Sequence, residues 1–285
     1  MATLDELLSG AIRVRVTTVG APGDPVLDVA DPAELELLRE ALTVERVTDG
    51  YCMCHGDLEF VFTGGDDRRT VVGLHHGVAL RWTGWNGDAL LRDGDRVLHW
   101  LARHGVDGPL VQAEHRQAER ERELLGRQAW TAAAPAAVRD LLDLAIAAAH
   151  TTGVIAPSVH ALVTDRLAQA FPDPAERAAA LLTWYGSGTG RYSGYPVYET
   201  LPAPALADTP IAEIIDALQR FPDDRVAAGA VRHLCAWKSR AHLRRDIARL
   251  PDDVRARLLA VARESDDDST RRRAEQHLTA GPSRS

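Results

Sequence analysis

The feature that most constrains how this chain folds is a change in the spacing of its apolar residues. Residues 12–18, Ile-Arg-Val-Arg-Val-Thr-Thr, alternate apolar with polar, the period of a strand with one buried face. From about Leu110 onward nothing reads as a strand. Residues 110–129 are rich in Glu, Arg, Gln and Ala, all strong helix formers, and through this half apolar positions recur every three or four residues, the period of an amphipathic helix. At 285 residues the chain can bury two ordinary cores. The expected fold class is therefore α+β. A small N-terminal antiparallel sheet with helices over 1–108 precedes an all-helical domain over 109–285, built either of helix pairs or as an irregular bundle.

Local signals fill in the first domain. Asp31-Pro32-Ala33-Glu34 reads as a helix start, with Asp31 as N-cap, Pro32 in the first helical position and Glu34 reaching back in a capping box. That helix is expected to run to Ala41 and to bury Leu35, Leu37, Leu38 and Leu42. Thr43 to Val47 is a short β-branched run before an Asp49-Gly50 turn, and 52–63 with 69–82 forms a long hairpin around Gly64 to Arg68. Asp88 to Leu91 suggests one helical turn, and Val97 to His104 a helix stopped by Gly105.

In the second domain helices are expected at 110–129, 135–149, 158–170, 174–185, 210–220, 224–237, 240–248, 252–264 and 268–279. Several start behind Pro or Asp, as at Asp173-Pro174, Pro222-Asp223 and Pro251-Asp252. Asp224, Ala230, His233 and Leu234 recur 44 positions later as Asp268, Ala274, His277 and Leu278, a capping Asp followed by small and apolar residues at helical spacing. A period in the forties resembles the helix pairs of HEAT and armadillo repeats over roughly 170–280. The resemblance implies stacked helix pairs and a protein-binding scaffold. An irregular helical bundle accounts for the same residues.

Composition removes some functions. A net charge of −8 argues against a general nucleic-acid binder, which needs a basic face, and leaves open only a local basic patch. Lys238, Arg240, His242, Arg244, Arg245 and Arg249 form a basic run, but Asp246, Asp252 and Asp253 interrupt it, as on a solvated helix surface. The most apolar stretch, Leu141 to Ala149, contains Asp143 and is too short to cross a bilayer. No secretory leader is legible at the start, and the cysteine number is odd, so a cytoplasmic protein with free thiols is expected. Lys238 is the single lysine among many arginines, the codon bias of a high-G+C bacterial genome.

Two segments carry chemistry. If Thr63 pairs with Arg69, the hairpin places Cys52, Cys54, Leu58, Phe60, Phe62, Val72, Leu74, His76, Val78, Leu80 and Trp82 on an apolar face. His55, Asp57, Glu59, His75, Ala79 and Arg81 fall on the wetter one. Two thiolates and an imidazole, Cys52, Cys54 and His76, are three of the four ligands zinc prefers, with His55, His75 and Asp57 in reserve. Gly73 and Gly77 flank the histidines, and a bulge there would bring both to one side. The plainer reading makes both cysteines small core hydrophobes, and a third makes them a redox-sensing thiol pair, so the cofactor is either zinc or none.

The second segment, Trp184 to Glu199, holds four of the five tyrosines on a glycine-rich loop expected over 186–204. It follows a helix and lacks a Gly-Lys-Ser/Thr ending, which disfavours nucleotide binding. Trp184, Tyr185, Arg191, Tyr192, Tyr195, Tyr198 and Glu199 are the candidate contact residues, because tyrosine and tryptophan give broad, rigid surfaces with polar tips. The same aromatics can instead pin the loop to its own helices. No complete catalytic set is legible. The leading expectation is thus a non-enzymatic interaction protein with a protein partner and no membrane. The alternatives are a zinc metalloprotein, a hydrolase among the options, using the Cys/His cluster, or a small-molecule binder using the aromatic loop.

Overall fold

A computed structural model describes residues 4–20, 25–189, 194–235 and 245–279. The expected contact residues Arg191 and Tyr192, most of the 240–248 helix and most of the basic run lie outside the described residues. The chain divides into two compact units, Met1–Arg120 and Glu121–Ser285. The division falls inside one helix, α4 (Gly108–Ala133).

The first unit is α+β, as expected. Its strands β1 (Ala11–Thr18), β2 (Leu27–Val29), β3 (Val44–Val47), β4 (Leu58–Gly64), β5 (Arg69–His75), β6 (Ala79–Arg81) and β7 (Ala89–Leu91) form an antiparallel sheet in the order β2-β1-β4-β5-β6-β7-β3. Alternation decides which face is buried. Val14, Val16, Phe60, Val72, Leu74 and Leu80 point inward and are sealed by α1 (Leu4–Ser9), α2 (Pro32–Ala41) and α3 (Gly94–Arg103). Of the expected α2 core residues, Leu38 and Leu42 are buried, Leu35 is half-buried, and Leu37 faces solvent.

Asp31 caps α2 as expected, accepting from the amides of Ala33 and Glu34 at 2.9 and 3.0 Å. Glu34 does not reach back. Its carboxylate accepts instead from Trp100 Nε1 at 2.9 Å and meets His104 Nε2 at 3.1 Å, tying α2 to α3. The helical turn expected at Asp88–Leu91 is strand β7, which is short and owes its form to β3 and β6 on either side.

The long hairpin is half right. Pairing follows the expected register from Leu58 opposite Leu74 to Thr63 opposite Arg69. Beyond His75 the chain reverses, because His76 and Gly77 both adopt positive φ (54° and 68°) and Val78 N bonds His75 O at 3.1 Å. That is the backbone of a primed hairpin turn. Residues 79–81 consequently pair back on β5, with His75 opposite Ala79 and Gly73 opposite Arg81, while 51–57 forms a loop.

The second unit, among its described residues, is helical. Its α7 (Pro174–Gly186) and α10 (Asp224–Leu234) approach until a Cβ on Gly229 would meet Leu182 O at 2.0 Å. Only glycine permits that spacing. The 44-residue repeat falls on α10 and α12 (Asp268–Leu278), each 11 residues long, preceded by α9 (Ile211–Arg220) and α11 (Asp252–Arg263). The capping side chains are one position earlier than the repeat implied: Asp223 accepts from Arg225 N, and Asp267 from Ser269 N and Thr270 N. The expected 186–204 loop contains a short 3₁₀ segment, Val197–Thr200.

Candidate metal centre

The primed turn that breaks the hairpin also builds the site. Leu74 faces the core, so His75 lies on the opposite face of the sheet, the face expected to be wet. It is nevertheless only 2% exposed, because the 51–57 loop folds over that end of the sheet. Gly56, at φ 87°, lets the loop pass directly over the ring, since a Cβ there would lie 3.1 Å from His75 Nε2. The loop thereby delivers both cysteines to the turn. Cys54 Sγ is 3.0 Å from His75 Nδ1, Cys52 Sγ is 3.5 Å from His76 Nε2, and the sulfurs are 2.9 Å apart.

The cluster therefore differs from the one the sequence suggested. Cys52, Cys54 and His76 do not share the apolar face; Cys52 and His76 are exposed and Cys54 is half-buried. His75, held in reserve, is the central imidazole, and the ligand atoms of Cys52, Cys54 and His75 all lie within 4.8 Å of one another. His55, exposed in the loop, Asp57 and His76 are not part of that group, although His76 Nε2 lies 3.5 Å from Cys52 Sγ.

Two residues the sequence reading did not select hold the loop in place. Asp88 is buried, accepts from Cys52 N at 2.6 Å, and pairs with Arg81 through Nε at 2.7 Å and Nη2 at 2.9 Å. Arg81 in turn donates to Cys52 O at 2.6 Å and Cys54 O at 3.4 Å, and its guanidinium lies 5.2 Å from the Tyr51 ring centre. Both cysteine carbonyls and one cysteine amide are thus tied to a single ion pair. The available signal was Arg81 itself, a long cation on the histidine face of the hairpin. Its partner Asp88 sat in a segment read as helix.

Proton affinities in the cluster are split. The Cys54 thiol donates to the Cys52 sulfur, and the Cys54 amide and His76 add to it, bringing the Cys52 thiol down to about 7. Cys54 moves the opposite way, raised by its partner sulfur and by burial. Burial, with Arg81 nearby, lowers His75 and keeps its imidazole neutral at physiological pH. Two sulfur donors of net charge −2 when ionised, beside neutral imidazole, match the donor set of tetrahedral zinc.

Distances agree with that fit. Around a tetrahedral zinc, sulfur and nitrogen ligands stand roughly 3.6 Å apart and two sulfurs roughly 3.7 Å apart, given Zn–S near 2.3 Å and Zn–N near 2.0–2.1 Å. The Cys52–His76 spacing of 3.5 Å meets the first figure, while Cys54 and His75 at 3.0 Å and the sulfurs at 2.9 Å each need to part by less than an ångström. The Arg81 and Asp88 bonds hold backbone atoms of Cys52 and Cys54 and leave the sulfurs to move by side-chain rotation.

The aromatic segment is placed quite differently. Trp184, Tyr185, Tyr198 and Glu199 are all buried in the helical core, where Trp130 stacks against Trp184 at 5.2 Å and meets Tyr198 at 5.3 Å. Glu199 Oε2 pairs with Arg232 Nη1 at 2.8 Å, and Glu199 Oε1 accepts from Thr189 N at 2.8 Å. Arg232 also donates to Tyr185 O at 3.0 Å and sits 4.4 Å from the Tyr185 ring centre. These side chains pin the segment to its helices. Tyr195, 65% exposed, stands at a depression of about 500 Å³ shared with Leu124, Arg127, His150 and Pro196.

Among the described residues, no helix is long and apolar enough to cross a membrane. No protein-family model, curated protein or solved structure matches the chain, so its function has to be argued from the site alone.

Proposed function

We propose that this protein binds one zinc ion through Cys52, Cys54, His75 and His76, and that the metal fastens the 51–57 loop across the face of the N-terminal sheet. The observation that carries this reading is the convergence of two sulfurs and a buried imidazole within 4.8 Å on a loop already held by Arg81 and Asp88. His76, 3.5 Å from Cys52 Sγ though outside that group, supplies the fourth donor as the loop closes on the ion. Four protein ligands fill a tetrahedron, the closed pattern of a structural ion, so a hydrolytic centre with an open position is the weaker form of the metal reading.

A second reading treats the helical unit as a scaffold for a protein partner. Tyr195 is the observation that favours it, as the candidate contact side chain that stands exposed among the described residues. One preparation separates the two readings. Protein purified without an affinity tag is expected to carry about one equivalent of zinc by elemental analysis, since thiolate-rich sites bind tightly. Less than about a tenth of an equivalent of any transition metal, with the thiols reduced, would remove the metal reading and leave the scaffold standing.

A further inference from the structure

We infer that Cys52 and Cys54 form a peroxide-reactive dithiol, closing to a disulfide on oxidation and expelling the metal. Four observations carry it. The sulfurs are 2.9 Å apart, well inside ordinary non-bonded contact, so disulfide formation requires a short further approach. Cys52 is exposed, whereas Cys54 is half-buried against His75, which makes Cys52 the sulfur an oxidant reaches and Cys54 the one that resolves. The intervening Met53 is completely exposed, so the residue between the two sulfurs gives up no buried side-chain contact when they close. The third thiol, Cys235, is buried and belongs to the helical unit's core.

The chemistry balances with a hydroperoxide as the oxidant. The Cys52 thiolate attacks the terminal peroxide oxygen. An S–O bond forms and the O–O bond breaks, leaving a sulfenic acid on Cys52 and an alcohol, or water from hydrogen peroxide, after protonation. The Cys54 thiolate then attacks Cys52 Sγ. The S–S bond forms, the S–O bond breaks, and hydroxide leaves as water on taking a proton. Two thiolates lose two electrons and the peroxide gains them. Both sulfur ligands are consumed, and the two imidazoles alone do not retain the ion. A ring closed through a single intervening residue is strained, which makes such a disulfide easily reduced and the step reversible by a dithiol.

The metal-release half rests on the zinc reading above; the thiol half does not. The full-length chain, zinc-loaded and metal-free in parallel, is treated with hydrogen peroxide. Accessible thiols are counted in denaturant, the intact mass is measured, and released zinc is read with a chromogenic chelator. Expected is a fall from three thiols to one, a mass lower by two hydrogen atoms, and one equivalent of zinc released, all reversed by dithiothreitol. The C54S variant is expected to stop at a dimedone-reactive sulfenic acid on Cys52, and C52S to react at least about tenfold more slowly. Three unchanged thiols, Met53 sulfoxide as the sole product, or a C54S protein that forms no sulfenic acid would each overturn the inference. A chain that forms the disulfide but never holds zinc would overturn the metal reading while leaving the dithiol in place.

Discussion

Replacing Cys52 with serine is expected to weaken zinc binding by at least about a hundredfold, and replacing Cys52 and Cys54 together to abolish it, because a serine hydroxyl is not ionised at neutral pH and offers zinc no thiolate. Competition against a chromophoric chelator checks this, with His55→Ala as the control expected to leave affinity unchanged, since His55 stands outside the cluster. The proton balance gives an independent number. At pH 7 the Cys52 thiol, titrating at about 7, is half protonated, Cys54 retains its proton, and His75 is already neutral. Zinc is therefore expected to release protons from the two thiols at pH 7. As pH falls below 7, Cys52 takes up its proton, more protons leave the thiols per zinc bound and affinity drops; above about pH 8 fewer leave. Calorimetric titration in buffers of different ionisation enthalpy measures it. A proton count near zero, or a C52S protein of undiminished affinity, would mean that these thiols are not the ligands.

The second large effect belongs to the helical unit. Glu199→Ala is expected to destabilise that unit by about 3–5 kcal/mol, because it removes the carboxylate that pairs with the buried Arg232 guanidinium at 2.8 Å. Glu199 is 0% exposed and Arg232 1%, so the pair is broken away from bulk solvent. The variant also strips Thr189 N of its acceptor. Replacing both members with apolar residues of similar volume, as in Glu199→Leu with Arg232→Met, is expected to recover most of the loss, since neither charge is then buried alone. Trp130 and Trp184 lie in the same core, so tryptophan fluorescence during urea unfolding reports on it. A Glu199→Ala loss below about 1 kcal/mol, the range of an exposed pair, would contradict this account. Gly188 bears on the same point: a Cβ there would come within 2.3 Å of the Glu199 carboxyl carbon, so the carboxylate's close approach depends on glycine.

These two sites were legible to different degrees, and for physical reasons. The change of apolar period carried the α+β division, and the Asp31-Pro32 start and the register of β4 on β5 follow from local spacing alone. The turn at His76-Gly77 did not, because the alternation runs straight through it and the glycines flanking the histidines suggested a bulge rather than a reversal of the chain. One unrecognised turn was enough to move His76 off the core face and exchange its role with His75. Burial of His75 depended on a loop covering the sheet, which strand periodicity cannot express. Asp88 was hidden for a related reason. A three-residue strand takes its form from its neighbours, so Asp88–Leu91 read as a helical turn and the Arg81 pair went unseen. In the helical unit, Asp223 and Asp224, like Asp267 and Asp268, are adjacent acids, and backbone geometry decides which one caps. The pairing of Glu199 with Arg232 joins two separate segments, and helical period marks only that an arginine stands among apolar neighbours.

Zinc K-edge X-ray absorption of the zinc-loaded protein tests the central claim most directly, because it reads the ligand atoms themselves. Coordination by two sulfurs at about 2.3 Å and two nitrogens at about 2.0–2.1 Å is the expected result. A shell of oxygen and nitrogen without sulfur would contradict it.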